Sequence, residues 1–199
     1  LDGAGSVSQF SSPTGIATCL SDTVIVSDTG NHAIRAIYGA TLGGKDSTTF
    51  VKTLAGTGAA GAENGVGGSA RFSSPYGVAC GNNVIFVADS GNHKVRVIHG
   101  TGFTAATSYV LDVAGSGVAG TLDGTGSTAR FNAPRGVAFD DVGGRLFVAD
   151  TGNHCIRLVL GPLLNSLGTY VKTIAGLCGT PGYADGSSSR FSSPGNIAY

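Results

Sequence analysis

The sequence predicts an all-β fold, a β-propeller built of four-stranded antiparallel blades. Two observations predict it. One segment recurs three times with a period of about sixty residues, and each copy breaks into four short apolar runs separated by glycine-rich turns. A third observation excludes the main alternative, since no stretch of about eleven residues shows helical periodicity. Repeated units of four antiparallel strands, with small residues on the first, are typical of propeller blades.

A proline and a histidine mark the repeat in each copy. The prolines Pro13, Pro75, Pro134 and Pro194 are 62, 59 and 60 residues apart, and the histidines of the three GNH tripeptides are 61 residues apart. A period that persists through loops of different length indicates one structural unit per copy.

These markers divide residues 1–199 into three full blades and the start of a fourth. The predicted blades cover residues 11–56, 73–115 and 132–176, and residues 192–199 are the predicted first strand of a fourth blade. Three blades and one strand do not close a propeller, which needs about four to eight blades. Two explanations stay open: the chain is a segment of a larger array, or the unpaired strand near Ile197 docks on another subunit.

The first copy shows the predicted order of strands within a blade. The runs GIATC and VIVSD are its first and second strands, and the link TGNH leads into AIRAI, the third strand. Glycine and asparagine in that link suit a tight turn, because both tolerate positive φ. TFVKTLAG is the fourth, outer strand. The glycine-rich link between copies carries a phenylalanine, which predicts a plug between blades.

These residues resemble a known repeat. Proline, glycine and a small apolar strand, followed by the pattern VAD-x-GNH-x-[IV]-R, are similar to the NHL repeat. The resemblance covers three full copies and a fragment, and it implies a propeller, commonly of six blades. The copies are longer than the usual NHL repeat. The extra length falls between the third and fourth strands (residues 39–49 in the first copy) and in the glycine-rich links.

Four polar residue types recur at fixed places in every copy. An Asp ends the second strand seven residues before an Arg, which predicts a carboxylate that caps its turn and faces the Arg; calcium or ligand binding is the alternative. Each His belongs to a different blade, which favours structural packing over a shared metal site. The predicted structural motif residues are Asp28, Asn31, His32, Arg35, Asp89, Asn92, His93, Arg96, Asp150, Asn153, His154 and Arg157.

The four cysteines lack metal-binding spacing. Cys155 opens the third strand of its blade and Cys178 follows the fourth, so antiparallel pairing brings them together and a disulfide is predicted. Such a bond points to an oxidising compartment. Cys19 and Cys80 occupy similar inner-strand positions in neighbouring blades, and they are expected to be buried thiols.

Composition and motifs argue against several functions. Basic and acidic residues number 12 each, so the net charge is zero and nucleic-acid binding is not expected. Glu63 is the only glutamate, which excludes paired-glutamate chemistry. No GxSxG, HExxH or CxxC motif is present. Some NHL-like propellers are metal-dependent lyases with His and acids on the inner strands. Here those strands carry Ile, Val, Ala, Thr and Cys, so no catalytic residue, metal or cofactor is predicted.

The sequence therefore predicts a non-enzymatic scaffold or interaction module, extracellular or on the cell surface. Its expected partners are proteins or glycans, or further copies of itself through the strand near Ile197; no stretch is long and apolar enough to span a membrane. Only 12% of the residues are charged, a composition that fits O-glycosylation or burial in an assembly. The long loops are the expected contact surfaces. The alternative is a metal-dependent propeller lyase or hydrolase whose site lies outside this segment.

Overall fold

The computed structural model describes residues 1–19, 23–39, 49–81, 83–100, 104–161 and 168–199. It is all-β, as predicted, apart from short 3-10 turns. The loops at 40–48, 101–103 and 162–167, where the sequence predicts extra length and contact surfaces, lie outside the described residues.

The described strands form three antiparallel sheets, which follow one another along the chain. The first sheet contains β1 (Gly3–Ala4), β2 (Pro13–Cys19), β3 (Thr23–Asp28), β4 (Ala33–Tyr38) and β5 (Phe50–Ala55). The second contains β6 (Gly65–Val66), β7 (Pro75–Gly81), β8 (Val84–Asp89), β9 (Lys94–Gly100) and β10 (Ser108–Ala114). The third contains β11 (Gly124–Thr125), β12 (Gly136–Asp140), β13 (Arg145–Asp150), β14 (Cys155–Leu160) and β15 (Tyr170–Ala175).

Each sheet has five strands among the described residues, so the prediction of four-stranded blades is wrong. The fifth strand comes from the glycine-rich link that precedes the blade. Gly3 and Ala4 pair antiparallel with Val51 and Phe50 of the outer strand β5, and β6 and β11 pair with β10 and β15 in the same way. An outer strand presents unpaired backbone groups, and two extended link residues are enough to cover part of that edge.

Residues 192–199 form no strand, in contrast to the prediction of a fourth first strand. A strand needs a hydrogen-bonded neighbour. The inner strand beside this segment, β12, pairs with β13 of its own blade. The segment nevertheless packs on the third blade, where the rings of Tyr199 and Phe147 stack with centroids 5.9 Å apart.

The hydrophobic core lies between neighbouring sheets. Strand β8, in the middle sheet, is buried at all six positions because a blade covers each of its faces. The rings of Phe86 and Phe139 meet across the second interface with centroids 4.7 Å apart. Phe72 and Phe131, from the glycine-rich links, are fully buried in the two interfaces. The inner strands β2, β7 and β12 lie side by side, which brings the Pro-x-Gly segments of the three blades together.

A 3-10 turn joins the second and third strands of each blade. The histidine after it adopts the left-handed conformation, with φ between 50° and 59°. The turns cover Thr29–Asn31, Ser90–Asn92 and Thr151–Asn153, and a fourth turn covers Gly186–Ser188.

Candidate functional site

The repeated aspartate is the centre of a buried hydrogen-bond network in each blade. In the first blade, Asp28 Oδ1 accepts a bond from the backbone N–H of Ser11 at 2.7 Å. Its Oδ2 accepts bonds from Asn31 Nδ2 at 2.9 Å and Arg35 Nη1 at 2.8 Å. These bonds occupy both carboxylate oxygens, so this Asp is placed to hold the chain rather than a ligand.

The other two blades repeat this arrangement. Asp89 pairs with Arg96 at 2.9 Å, and Asp150 pairs with Arg157 at 2.8 Å; all four side chains are fully buried. Burial raises the pKa of the Asp89 and Asp150 carboxyls, against hydrogen bonds from the backbone, the neighbouring Asn and the Arg that favour the charged form.

The repeated arginine also holds the glycine-rich link. Its Nη2 donates to a link side chain in every blade: to Asp2 at 2.7 Å, to Asn64 at 2.6 Å and to Asp123 at 2.6 Å. Its guanidinium lies 5.1–5.4 Å from the ring centroid of the link phenylalanine. One arginine therefore joins a strand, a turn and a link.

The second blade moves one negative charge to a different strand. Its link residue is the neutral Asn64, and Asp112 of β10 instead contacts Arg96 Nε at 2.7 Å. The corresponding outer-strand residue of the third blade is Thr173, which donates to the charged Asp123. Each buried arginine thus meets two carboxylates.

The repeated histidine joins one blade to the next. The Nδ1 of His32 accepts a bond from the backbone N–H of Ser74 at 3.0 Å, and His93 and His154 accept from Ala133 and Ser193 at the same distance. An accepting Nδ1 requires a neutral ring. The three rings serve three separate interfaces, and the described residues contain no group of three potential metal ligands.

A hydroxyl after the repeated aspartate makes a second contact between blades, which the sequence analysis missed. Thr29 Oγ1 donates to the carbonyl of Pro75 at 2.6 Å, and Thr151 Oγ1 donates to that of Pro194 at 2.6 Å. Ser90 donates to the carbonyl of Pro134 in the same way. The available signal was the hydroxyl residue that follows every repeated aspartate.

Two disulfides are present, and together they include all four cysteines of the chain. Cys155 and Cys178 are bonded, with Cα atoms 5.1 Å apart, within the third blade. Cys19 and Cys80 are also bonded, with Cα atoms 5.5 Å apart, so the expectation of two buried thiols is wrong. The two cysteines meet because β2 and β7 lie side by side, at a separation within the usual range for disulfides.

A concave surface lies at one end of the inner strands, where side chains are exposed rather than buried in the networks described above. We call it the rim and define it by Thr14, Tyr76, Arg135 and Asn196. The first three follow the proline of the repeat in successive blades, and Asn196 lies in the segment packed on the third blade. Together with adjacent glycines and apolar residues they line a cavity of ≈ 360 Å³.

The glycines of the Pro-x-Gly segments allow the rim to form. A Cβ atom on Gly15 would collide with the carbonyl oxygen of Tyr76, and one on Gly77 would collide with that of Arg135. Only glycine permits this approach of adjacent inner strands. The approach also lets Thr14 Oγ1 donate to the Tyr76 carbonyl at 3.0 Å.

The rim cavity combines apolar residues with one cationic side chain, Arg135, among its described lining residues. The Arg135 guanidinium lies 5.0 Å from the ring centroid of Tyr76, a cation–π distance. Arg135 is exposed and Tyr76 is half-buried. The sequence analysis missed these residues because it followed the positions that repeat. The signal was variation, since the residue between Pro and Gly differs in every copy.

Comparison with known proteins identifies the repeat. Residues 131–157 match the family model of the NHL repeat. Residues 131–157 are an NHL repeat, the repeat that the sequence predicts. The matched stretch begins at Phe131 and ends at Arg157, so it spans the buried network of the third blade and includes Arg135 of the rim.

The curated relatives that this chain matches are much longer than the chain. Protein SUPPRESSOR OF QUENCHING 1, chloroplastic, from Arabidopsis thaliana is 39% identical over 100 residues, which is 50% of this chain and 9% of the relative. NHL repeat-containing protein 2 from Bos taurus is 37% identical over 99 residues, which is 48% of this chain and 13% of the relative. The matched stretch therefore accounts for a small part of each relative.

The chain also shares its fold with a solved structure. An auxiliary nutrient binding protein from Bacteroides thetaiotaomicron superposes with a TM-score of 0.63 at 20% identity, covering 90% of this chain and 40% of that chain. This likeness concerns the fold. Within the described residues, no helix is long and apolar enough to cross a membrane.

Proposed function

We propose that this NHL-repeat segment is a non-enzymatic protein-interaction module that contacts its partner through the rim. One observation carries the proposal. The polar residues that repeat are occupied in contacts within and between blades, whereas Tyr76 and Arg135 at the rim are accessible and differ from blade to blade. Positions that differ among otherwise equal blades are free to specialise in binding a partner.

An enzymatic role has less support from the same residues. A general acid or base needs a carboxyl or imidazole within reach of a substrate. Asp89 and Asp150 are fully buried against Arg96 and Arg157. The described cavity at the rim is lined by neither Asp, Glu, His nor Cys. We therefore favour binding over catalysis, and a metal-dependent lyase or hydrolase site outside this segment is the less supported alternative.

We further propose that the module works in an oxidising compartment, at the cell surface or outside the cell. The support is the pair of disulfides, Cys19–Cys80 and Cys155–Cys178, because such bonds persist in secreted proteins and are rare in reducing compartments. Glycan partners and O-glycosylation stay predictions from composition. Self-association near Ile197 also stays a prediction.

Site-specific photo-crosslinking tests the interaction role. A benzophenone amino acid replaces Thr14 at the rim or, as the control, Val142, which is 98% exposed in a turn of the third blade. The full-length protein is irradiated in the fluid or extract of its own source. We expect one defined protein adduct from the rim position and none from position 142. Equal adducts from both positions, or none from the rim, would contradict the proposal.

A further inference from the structure

The rim cavity collects hydrogen-bond donors without a matching anion. A guanidinium carries five N–H donors and no acceptor. The Oδ1 of Asn196 accepts the backbone N–H of Ile197 at 2.9 Å, so this side chain offers its NH2 group as a donor. None of the described residues that line the cavity is Asp or Glu.

Arg135 differs in this respect from the buried arginines. Each buried arginine meets two carboxylates, for example Arg157 with Asp150 at 2.8 Å and Asp123 at 2.6 Å. Arg135 instead makes a cation–π contact with Tyr76 beside the cavity. Such a contact leaves a planar guanidinium able to bind both oxygens of a carboxylate through parallel N–H donors.

From this geometry we propose that the rim binds a carboxylate of an acidic peptide segment on the partner. Arg135 pairs with the carboxylate oxygens, and Asn196 donates to the same group or to the adjoining peptide carbonyl. The cavity of ≈ 360 Å³ has room for one acidic side chain. A nucleic-acid backbone fits less well, because the described lining of the cavity contains a single cation, Arg135, and the chain has zero net charge. The inference rests on the proposed interaction role and adds the chemistry of the partner.

Titration with a short peptide tests the carboxylate site directly. The probe is acetyl-Gly-Asp-Asp-Gly-amide, and its neutral match is acetyl-Gly-Asn-Asn-Gly-amide. Nitrogen-15 NMR of the intact chain follows the Arg135 Nε–H and Asn196 NH2 signals. We expect saturable shifts at both groups with the acidic peptide and about tenfold weaker binding of the neutral one, equivalent to about 1.4 kcal/mol.

Variants localise the effect. Arg135→Gln should weaken binding of the acidic peptide about tenfold, and Arg135→Lys, which keeps the charge without the planar fork, should weaken it less. Arg130→Gln is the matched control, because Arg130 is exposed and does not line the rim cavity. It should leave the affinity unchanged. Thermal unfolding of each variant shows whether it is folded. If Arg135→Gln does not fold, the affinity of Arg135→Lys for the acidic peptide tests the inference.

Three results overturn the inference. The neutral peptide binds as tightly as the acidic one, or inorganic phosphate shifts the Arg135 and Asn196 signals with the same affinity as the acidic peptide. The third is that Arg135→Gln binds the acidic peptide as tightly as the wild type. The first two mean that the site does not select a carboxylate on a peptide. This test is independent of the photo-crosslinking. If the rim crosslinks to a partner but the acidic peptide does not bind, the carboxylate inference is wrong and the interaction role stands. Peptide binding without a crosslinked partner overturns the interaction role alone.

Discussion

At the scale of single residues, the chain uses different side chains to give each buried arginine contacts with two carboxylates. The first and third blades place the second carboxylate on the link, whereas the second blade places it on the outer strand at Asp112. Removing one carboxylate leaves the positive charge of the buried arginine less compensated. The second blade combines Asn64 on the link with Asp112 on the outer strand, and the third combines Asp123 with Thr173. A second substitution should therefore rescue the loss of Asp123.

Asp123→Asn should lower the free energy of unfolding by about 1 kcal/mol. Charge-assisted hydrogen bonds contribute about 1.5–3 kcal/mol when buried, and Asp123, with a side chain 40% exposed, is partly screened. Adding Thr173→Asp restores the arrangement of the second blade and should recover at least half of that loss. Urea unfolding of the wild type, the two single variants and the double variant measures these differences. Thr173→Asp alone should destabilise, because it adds a third carboxylate beside Arg157; a stabilising effect would contradict the interpretation.

The same aspartate predicts a pH dependence. Burial alone would raise the pKa of Asp123, but hydrogen bonds from Thr173 and Arg157 outweigh it and hold the pKa below its usual value. The unfolded chain therefore binds this proton more readily, and the stabilising effect is present above about pH 4 and lost as the pH falls through the lowered pKa. Urea unfolding at a series of pH values should show that wild type and Asp123→Asn converge in acid. A difference that stays constant would count against this assignment.

At the scale of elements, the sequence predicted what one copy of the repeat determines. Four strands, the turn before each histidine and the Asp–Arg pairing depend on contacts within a blade, and each left a repeated mark. The fifth strand was not predicted, because Gly3–Ala4, Gly65–Val66 and Gly124–Thr125 are each two residues long, too short to show the alternation that indicates a strand. They pair because the completed outer strand offers free backbone groups. The rim was missed for a related reason: it exists only where three inner strands meet.

Close packing of the inner strands predicts the effect of one methyl group. Gly77→Ala would drive a Cβ into the Arg135 carbonyl, and backbone cannot yield as a flexible side chain can, so we expect a loss of about 2 kcal/mol. The measurement is thermal unfolding. Gly68→Ala is the control, since its Cβ would meet no atom closer than 3.9 Å and should change stability by less than about 0.5 kcal/mol. Equal effects of the two substitutions would show that the inner strands can move apart enough to accommodate the added Cβ atom.

At the scale of the whole molecule, the two disulfides have different tasks. Cys19–Cys80 closes a loop of 61 residues between two blades, and Cys155–Cys178 closes one of 23 residues within a blade. Loop entropy assigns about 4 kcal/mol to the first bond and about 3 kcal/mol to the second. We therefore expect Cys19→Ser with Cys80→Ser to lower the urea midpoint more than Cys155→Ser with Cys178→Ser. The reverse order would show that the bond within the blade is the more important one.

The first of these bonds was not predicted, and the reason applies to the whole chain. Cys19 and Cys80 are neighbours only after two blades have packed, and no pattern within a single repeat encodes the distance between blades. The same limit applies to the exposed Ile16. Its counterparts Val78 and Val137 are 7% and 5% exposed because a blade covers them, whereas Ile16 is 71% exposed. The repeat makes the three residues alike, and their positions in the array make them different.

The bond from each histidine to the following blade gives the array a direction. One side of a blade supplies an imidazole acceptor, and the other supplies a backbone N–H on a left-handed residue, such as Ser74 or Ala133. A twofold axis that passes through the contact itself would bring like sides together, acceptor facing acceptor. Any neighbour that continues the pattern must therefore be related by rotation about a common axis. Ser12, with the same left-handed φ of 47°, marks the side on which such a neighbour would have to present its imidazole.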